Sequence, residues 1–372
     1  MHPGPYKPEK LAVFLPGLYA GGAERTMLKL AGGLAARGHE VDLVLARAVG
    51  PHLPEVPAAV RLVDLHAPRV LFSLPALIRY IQRERPAILL SALTTNIIAI
   101  WARRLVRWPI RVVVSERNTL TSETRHYASD LRLRMMPKLI HRFYPWADSI
   151  VAVSNGVAED LSRAAGIPRD HIHVIYNPVI TPELDRQIHA PLDHPWFKPD
   201  APPVILAAGR LTAQKDYPTL IEAFARVHQK RPARLMIMGE GEERVALEDM
   251  VKRHHLEGKI SLPGFIANPY PFMAKAAVFV LSSKWEGLPG VLIEALYCGA
   301  PLIATDCPSG PGEILAGGKY GRLVPVGDPD ALASAILSVL EDRPPRPPQE
   351  SWQRFELEHV LDQYSAVLFN HG

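Results

Sequence analysis

A chain of 372 residues is too long for one ordinary hydrophobic core and fits two domains. Its 48% apolar and 22% charged residues exclude a disordered protein, and its 36 prolines imply many loops between short elements. The net charge of +4 is uneven: residues 1–185 carry 23 Lys/Arg against 16 Asp/Glu, and the window 101–142 alone holds ten basic and three acidic residues, which points to an anionic partner for that face.

The start, MHPGPYKPEK, is polar and leads straight into a strand, so no signal peptide is expected. KLAVFLP (10–16) reads as a buried parallel strand. The loop GLYAGGAE, a helix ending at Gly38 and the strand HEVDLVLA (39–46) complete a βαβ unit. The loop does not match GxGxxG and no acid closes the second strand, so a nicotinamide site is disfavoured. Further strands are expected at 60–65, 87–93, 111–116, 149–154 and 173–177, with helices at 73–85, 95–107, 127–145 and 156–165: a doubly wound α/β domain. The apolar run 87–102 is interrupted by Ser91, Thr94, Thr95 and Asn96 and reads as strand, loop and helix, not a membrane span. Residues 178–203 are Pro-rich with little periodicity and read as an interdomain linker.

A second α/β series follows, with strands at 204–210, 234–240, 259–265, 277–283, 301–306 and 321–326. Helices are expected at 217–229, 242–255, 269–275, 328–341 and about 350–369. The expected organisation is a Rossmann-like lobe over 1–185, a linker over 186–203, a second Rossmann-like lobe over 204–345 and a terminal helix in 346–372, with a ligand cleft implied between the lobes. Only Cys298 and Cys307 are present, without metal-site spacing, which suggests a reduced, cytoplasmic setting.

The most informative stretch is LSSKWEGLPGVLIEALYCG (281–299): a strand end, a Gly/Pro turn and a buried helix. Glu286 lies in the turn and Glu294 in the helix. Gly287, Leu288, Pro289 and Gly290 form a loop whose backbone can approach a ligand closely and runs into a helix N-terminus, which favours an anion. The residues alone support either a phosphate-and-sugar site or a solvated loop glutamate with a salt-bridged helix glutamate.

With AAGRLTAQKDYPTLIEAF, MIMGEGEERVALE, the Glu-x7-Glu element, DCPSGPGEIL, YGRLVPVGDPDAL, LYAGGAERTMLKLAGGLAARGHEV and VIYNPV together, the chain resembles the family 4, or group 1, retaining nucleotide-sugar glycosyltransferases of GT-B fold. The resemblance covers about four-fifths of the chain. It implies that Glu294 binds the donor ribose and that Glu286 lies near the donor sugar, orienting it or stabilising positive charge at the anomeric carbon. The amides of Gly290, Val291 and Leu292 would face the phosphates. Gly264, Phe265 and Ile266 would contact the base, while Gly239 would let backbone approach the ligand. Arg210 and Lys215, after Gly209, sit at a strand end and suit a diphosphate clamp that neutralises the leaving group. Their ordinary alternative is two solvated loop cations. Gly21 and Gly22 would face the donor diphosphate.

Many members of that family carry a histidine where this chain has Glu116, Arg117 and Asn118. This departure removes the expected acceptor-side residue and leaves His126 as a substitute. The stretch 131–144 carries Arg132, Arg134 and Lys138 among apolar residues, with Pro137 expected to kink or split it. It reads as a surface for an anionic membrane or a lipid pyrophosphate. No nucleic-acid motif accompanies it.

The implied function is transfer of a hexosyl or N-acetylhexosaminyl group from a UDP-sugar to a membrane-associated, polyprenyl-diphosphate-linked glycan. The enzyme would be peripheral on the cytoplasmic membrane face, with no metal and no cofactor. Alternatives are a GDP-sugar donor, a glycan phosphorylase or nucleotide-sugar epimerase on the same fold, and a non-catalytic nucleotide-sugar-binding partner.

Overall fold

The structure is a computed structural model that describes residues 9–19, 21–122, 131–342 and 344–369, the side chains of 131–133 excepted. Two compact units form. One runs to Pro178 and resumes at Glu356; the other is Val179–Phe355.

The first unit is built on a seven-stranded parallel sheet. Its strands are β1 (Lys10–Leu15), β2 (Glu40–Leu45), β3 (Val60–Asp64), β4 (Ile88–Ala92), β5 (Arg111–Glu116), β6 (Ser149–Ala152) and β7 (Ile172–Val174), in the order β3-β2-β1-β4-β5-β6-β7. The strands are apolar runs because helices cover both faces, and Leu11 to Leu15 are all fully buried. The chain adds strands on one side of β1 and then restarts on the other with β4. The carboxyl ends of β1 and β4 therefore flank a switch point, where such sheets leave a crevice.

The Leu357–Phe369 helix belongs to this first unit and buries Val360, Leu361, Tyr364 and Leu368 in its core. That packing explains a local anomaly. Gly33 lies inside the Gly22–Ala36 helix, where glycine costs about 1 kcal/mol relative to alanine. A Cβ there would lie 2.7 Å from Leu361 Cδ1, so the glycine lets the terminal helix dock. His39 stacks on Phe369 with centroids 4.2 Å apart.

The second unit holds a six-stranded parallel sheet. Its strands are β8 (Val204–Ala208), β9 (Arg234–Met238), β10 (Ile260–Gly264), β11 (Val278–Leu281), β12 (Leu302–Thr305) and β13 (Arg322–Val324), in the order β10-β9-β8-β11-β12-β13. The switch point falls between β8 and β11. Pro263 is tolerated because β10 is an edge strand, with a register shift between Ser261 and Gly264.

Three sequence expectations differ from the structure. The stretch 178–203 contains a helix, Pro182–Ile188, capped by the Thr181 side chain and packed within the second unit. Asn268 donates to the Gln187 carbonyl (3.0 Å) and Tyr297 to Asp185 (2.8 Å). Proline there occupies the first turn of a helix, where its missing N–H does no harm. The expected helix at 350–369 is two 3-10 turns followed by Leu357–Phe369. Where the chain leaves the second unit, the Phe355 carbonyl accepts both Val179 N and Ile180 N at 3.1 Å, tying the outgoing and returning passes together. Finally, Leu131–Phe143 runs as one helix through Pro137, which lacks only one hydrogen bond of the series.

Candidate functional site

The loops after β8 and β11, on either side of the second unit's switch point, are stitched together by side chains. Lys215 Nζ lies 2.5 Å from Glu286 Oε1, and Ser283 Oγ donates to the same oxygen at 2.6 Å. Gln214 Nε2 donates to the Trp285 carbonyl (2.8 Å) and lies 3.5 Å from Glu286 Oε2. Lys284 N donates to the Gln214 carbonyl (2.8 Å), and Ser282 Oγ to the Lys215 carbonyl (2.7 Å). A second ion pair joins Lys284 and Asp216 at 3.1 Å. Asp216 is buried in the left-handed region at φ 49°, a conformation that Asp tolerates better than most residues, and this turns the chain into the Tyr217–Lys230 helix.

The two predicted cations therefore differ. The Lys215 and Glu286 side chains are only 14% and 7% exposed, so theirs is a buried ion pair. Arg210 is exposed at the mouth of the loop and makes no ion pair among the described residues. The Lys215 ammonium and Arg210 guanidinium both lie on the loop that follows β8, consistent with one engaged and one open cation.

Tyr217 adds a group that the sequence reading assigned to an ordinary helix start. Its ring is buried, and its hydroxyl is without a hydrogen-bond partner among the described residues. Burial and the Glu286 charge push the phenol well above its usual value. Burial, and then the Glu286 charge, likewise push the Cys307 thiol up to about 12, so this cysteine is not a nucleophile here.

The Gly290–Tyr297 helix starts where expected, with Pro289 as its N-cap. The Leu292 amide, expected to face a phosphate, instead donates to the Pro289 carbonyl (3.1 Å) because the first turn is tight. Gly290 and Val291 remain at the helix entry. Glu294 is half-buried in the second turn. With burial as the larger cause, its charge helps push Cys298 up to about 12.

The loop that follows β12 buttresses this turn. Ser309 Oγ donates to the Gly287 carbonyl (2.8 Å), and Thr305 Oγ1 to the Ser283 carbonyl (2.6 Å). At Gly310, φ 90°, a Cβ would press on Pro289 and the Gly287 carbonyl. Leu288 is buried beside them.

The glycines at the ends of β8, β9 and β10 have a backbone reason to be glycine. Gly209, Gly239 and Gly264 all have positive φ. Gly209 N donates to the Met238 carbonyl (2.9 Å) and Gly239 N to the Gly264 carbonyl (2.8 Å), and a Cβ on Gly239 would strike the Gly209 carbonyl. Close approach of neighbouring strand ends thus accounts for Gly239 without a ligand. Phe265 follows β10 and is 70% exposed, an unusual state for a phenylalanine, while Ile266 is half-buried.

In the first unit, Gly21 caps the Gly22–Ala36 helix, and the Glu24 carboxylate folds against it. Gly22 is exposed, with open space where a Cβ would stand. Arg117 and Glu116 are not presented as open ligand contacts. Arg117 is buried, donates to Asn177 (2.8 Å), and is held below the usual arginine value by burial. Glu116 accepts from Asn96 (3.0 Å) and from the buried Tyr144 hydroxyl. Asn118 follows on the loop. His126 lies outside the described residues, as does the Arg132 side chain. Arg134 and Lys138 are exposed. Among the described residues no group of three His, Cys, Asp or Glu could hold a metal, and no helix is long and apolar enough to cross a membrane.

Comparison with known proteins agrees with this architecture. The family model for "Glycosyl transferases group 1" matches residues 192–355, and that for "Glycosyltransferase Family 4" matches residues 20–182. The chain is 30% identical to the N-acetylgalactosamine-N,N'-diacetylbacillosaminyl-diphospho-undecaprenol 4-alpha-N-acetylgalactosaminyltransferase of Campylobacter jejuni, over 90% of this chain and 91% of that protein. It is also 30% identical to a lipopolysaccharide core biosynthesis glycosyltransferase of Rhizobium meliloti, over 87% and 86%. Among solved structures it resembles Anabaena HepE in complex with UDP and glucose, with a TM-score of 0.73 and 19% identity, covering 96% of this chain and 99% of that one. That likeness shows the shared GT-B fold.

Proposed function

The chain belongs to the family 4, group 1 glycosyltransferases, and from that premise we propose a retaining, metal-independent enzyme that moves a hexosyl or N-acetylhexosaminyl group from a UDP-sugar to a hydroxyl of a polyprenyl-diphosphate-linked glycan. The observation that carries this reading is the cross-linked pair of loops at the β8/β11 switch point. It gathers two cations, a buried carboxylate and a helix entry at one sheet edge.

Each group then has a task. Arg210 and Lys215 meet the charge that develops on the departing nucleoside diphosphate, with the Gly290 helix entry adding its partial positive charge. That arrangement needs no cation bound by acidic side chains. Glu286, held by Lys215 and Ser283, is a fixed negative charge suited to orienting the sugar and to stabilising positive charge at its anomeric carbon. Glu294 takes the ribose hydroxyls, since a carboxylate can accept from two neighbouring donors. The exposed Phe265 offers a ring face to the base. The relatives' names supply the acceptor class: one acts on an undecaprenyl-diphosphate-linked sugar and another in lipopolysaccharide core synthesis.

A peripheral place on the cytoplasmic membrane face follows from the same reading. Arg134, Met135 and Lys138 are exposed on the Leu131–Phe143 helix, and Arg104 and Arg142 ride on the Trp146 ring at 4.9 and 4.7 Å. Cations with aromatic and apolar side chains suit an anionic lipid surface.

The deciding experiment is a thermal-shift screen of UDP- and GDP-sugars, followed by donor consumption with polyprenyl-diphosphate-linked acceptors. Stabilisation by a UDP-sugar and acceptor-dependent release of UDP are expected. Stabilisation by GDP-sugars alone would replace the base, and donor binding without consumption would remove the catalytic reading.

A further inference from the structure

The Tyr217 hydroxyl is buried, polar and unpartnered among the described residues, inside an otherwise well-bonded site. A phenol in that state loses its hydrogen bonds to water without replacement, a penalty of about 1–3 kcal/mol that phenylalanine would avoid. No described residue of the Tyr217–Lys230 helix or of its neighbours bonds the oxygen. Its surroundings are specific. The hydroxyl lies 2.9 Å from the point where a Cβ on Gly209 would stand, and Lys215 Cε lies 3.1 Å from that same point. The phenol and the lysine stem therefore share the space over Gly209, and the Glu286 charge acts on both.

Resting on the proposed function, we propose that Tyr217 is a positioning residue: its hydroxyl is the hydrogen-bond donor that takes over Glu286 when Lys215 turns to the donor diphosphate. A diphosphate that draws the Lys215 ammonium towards itself lengthens the 2.5 Å contact to Glu286, because the two anions compete for one positive charge. Once Lys215 moves, Glu286 would be left as a buried anion with Ser283 and the distant Gln214 amide, a costly state. The lysine has a flexible four-carbon stem and can swing, and its movement opens the space beside the phenol. Tyr217 keeps its proton throughout, because burial and the adjacent carboxylate oppose ionisation. The exchange is of one hydrogen bond for one ion pair, with no proton transferred. It holds Glu286 charged and fixed at the moment its charge is needed.

The test is Tyr217→Phe, which keeps the ring and removes the orphaned oxygen. Unliganded stability should be unchanged or slightly raised. Affinity for UDP, measured by calorimetry with GDP in parallel, should fall about tenfold or more, as for a lost hydrogen bond to a charged group. In a Glu286→Gln background the same change should have no further effect, because a neutral amide needs no replacement donor. A purely structural tyrosine would give equal effects in both backgrounds, and that result, or wild-type UDP binding by Tyr217→Phe, overturns the proposal. Lys215→Met separates the two levels. If it leaves nucleotide binding intact, the diphosphate reading fails and this inference with it. If it weakens binding while Tyr217→Phe does not, only the inference fails.

Discussion

Replacing Lys215 by Met should destabilise the protein as well as inactivate it. The pair it forms with Glu286 is 2.5 Å long, with side chains only 14% and 7% exposed, so solvent screens it little. After the substitution, Glu286 keeps one strong hydrogen bond, from Ser283 at 2.6 Å, and the Gln214 amide at 3.5 Å is at the limit of bonding. An ionised carboxylate left buried in that state costs about 3–5 kcal/mol. For a domain of this size each kcal/mol moves the midpoint by roughly 2–4 °C, so the expected fall is roughly 6–20 °C. Lys215→Met/Glu286→Gln removes both charges and should recover most of the loss, leaving a coupling energy of about 2–3 kcal/mol. Equilibrium urea unfolding of the four proteins near neutral pH measures this directly. A Lys215→Met variant within about 1 kcal/mol of wild type would refute the reasoning, since that is the scale of a solvated surface pair. The cycle also has a practical consequence: the double variant, folded and uncharged, is the proper protein in which to measure how much transfer depends on the two charges.

Gly22→Ala meets nothing within 4 Å among the described residues, so stability should hold or rise by up to about 1 kcal/mol, while initial transfer rates should fall at least about tenfold if the donor approaches this backbone; an unchanged rate would argue against that contact. Burial pulls His39 below the ordinary histidine value, against the Glu9 charge and with Arg37 assisting, so the folded state holds the neutral ring against Phe369. Its contribution is complete above about pH 6.5 and is lost as pH falls through the lower folded value, because the unfolded chain takes the proton first. Protection factors of amides in the Leu357–Phe369 helix, corrected for the pH dependence of intrinsic exchange, should therefore fall on acidification, and His39→Phe should blunt the change. Cys298 and Cys307, both buried and pushed up to about 12, should resist a thiol reagent at about pH 8 in the native state and react on unfolding; rapid native labelling would show the site opens.

The two-sheet architecture was legible because a parallel strand buried on both faces is a near-continuous apolar run, and this is easily seen in AVFL, ILL, VVV and VFVL. The candidate site's polar residues stood out in the sequence by type and position, since Arg210, Lys215 and Glu286 all follow strand ends. Their partnership was not. Lys215 and Glu286 are 71 positions apart, and only the order of β8 and β11 in the sheet brings their loops together. Asp216 was hidden for a related reason: a left-handed turn is set by backbone dihedrals, and an aspartate between lysine and tyrosine gives no sign of one. The stretch 178–203 misled because proline density outweighed the Thr181-Pro182-Glu183 signal of a helix start. Glu116 and Arg117 misled in the opposite sense. Charge at a strand end suggests a ligand contact, yet here it is consumed by Asn96, Tyr144 and Asn177 inside the unit.

The Lys215–Glu286 pair also bears on why this loop junction is built from charges at all. A buried ion pair is weak support for a fold: hydrophobic residues of similar volume in its place are often neutral or stabilising by about 1–4 kcal/mol. The junction already has neutral ties in Gln214 to Trp285, Ser282 to Lys215 and Ser309 to Gly287. Under the proposed function the charges make sense as a stored arrangement. Before the nucleotide binds, Glu286 holds Lys215 close to the strand end and keeps it from wandering into solvent. When a diphosphate enters, the ammonium has a second anion to choose, and the work of separating the pair is set against the new contact. Affinity for the nucleotide is then moderated rather than maximal, which favours release of the spent diphosphate after transfer. On this argument Lys215→Met/Glu286→Leu should be at least as stable as the wild type and should not transfer sugar. A stable, active double variant would place the reaction's charges elsewhere.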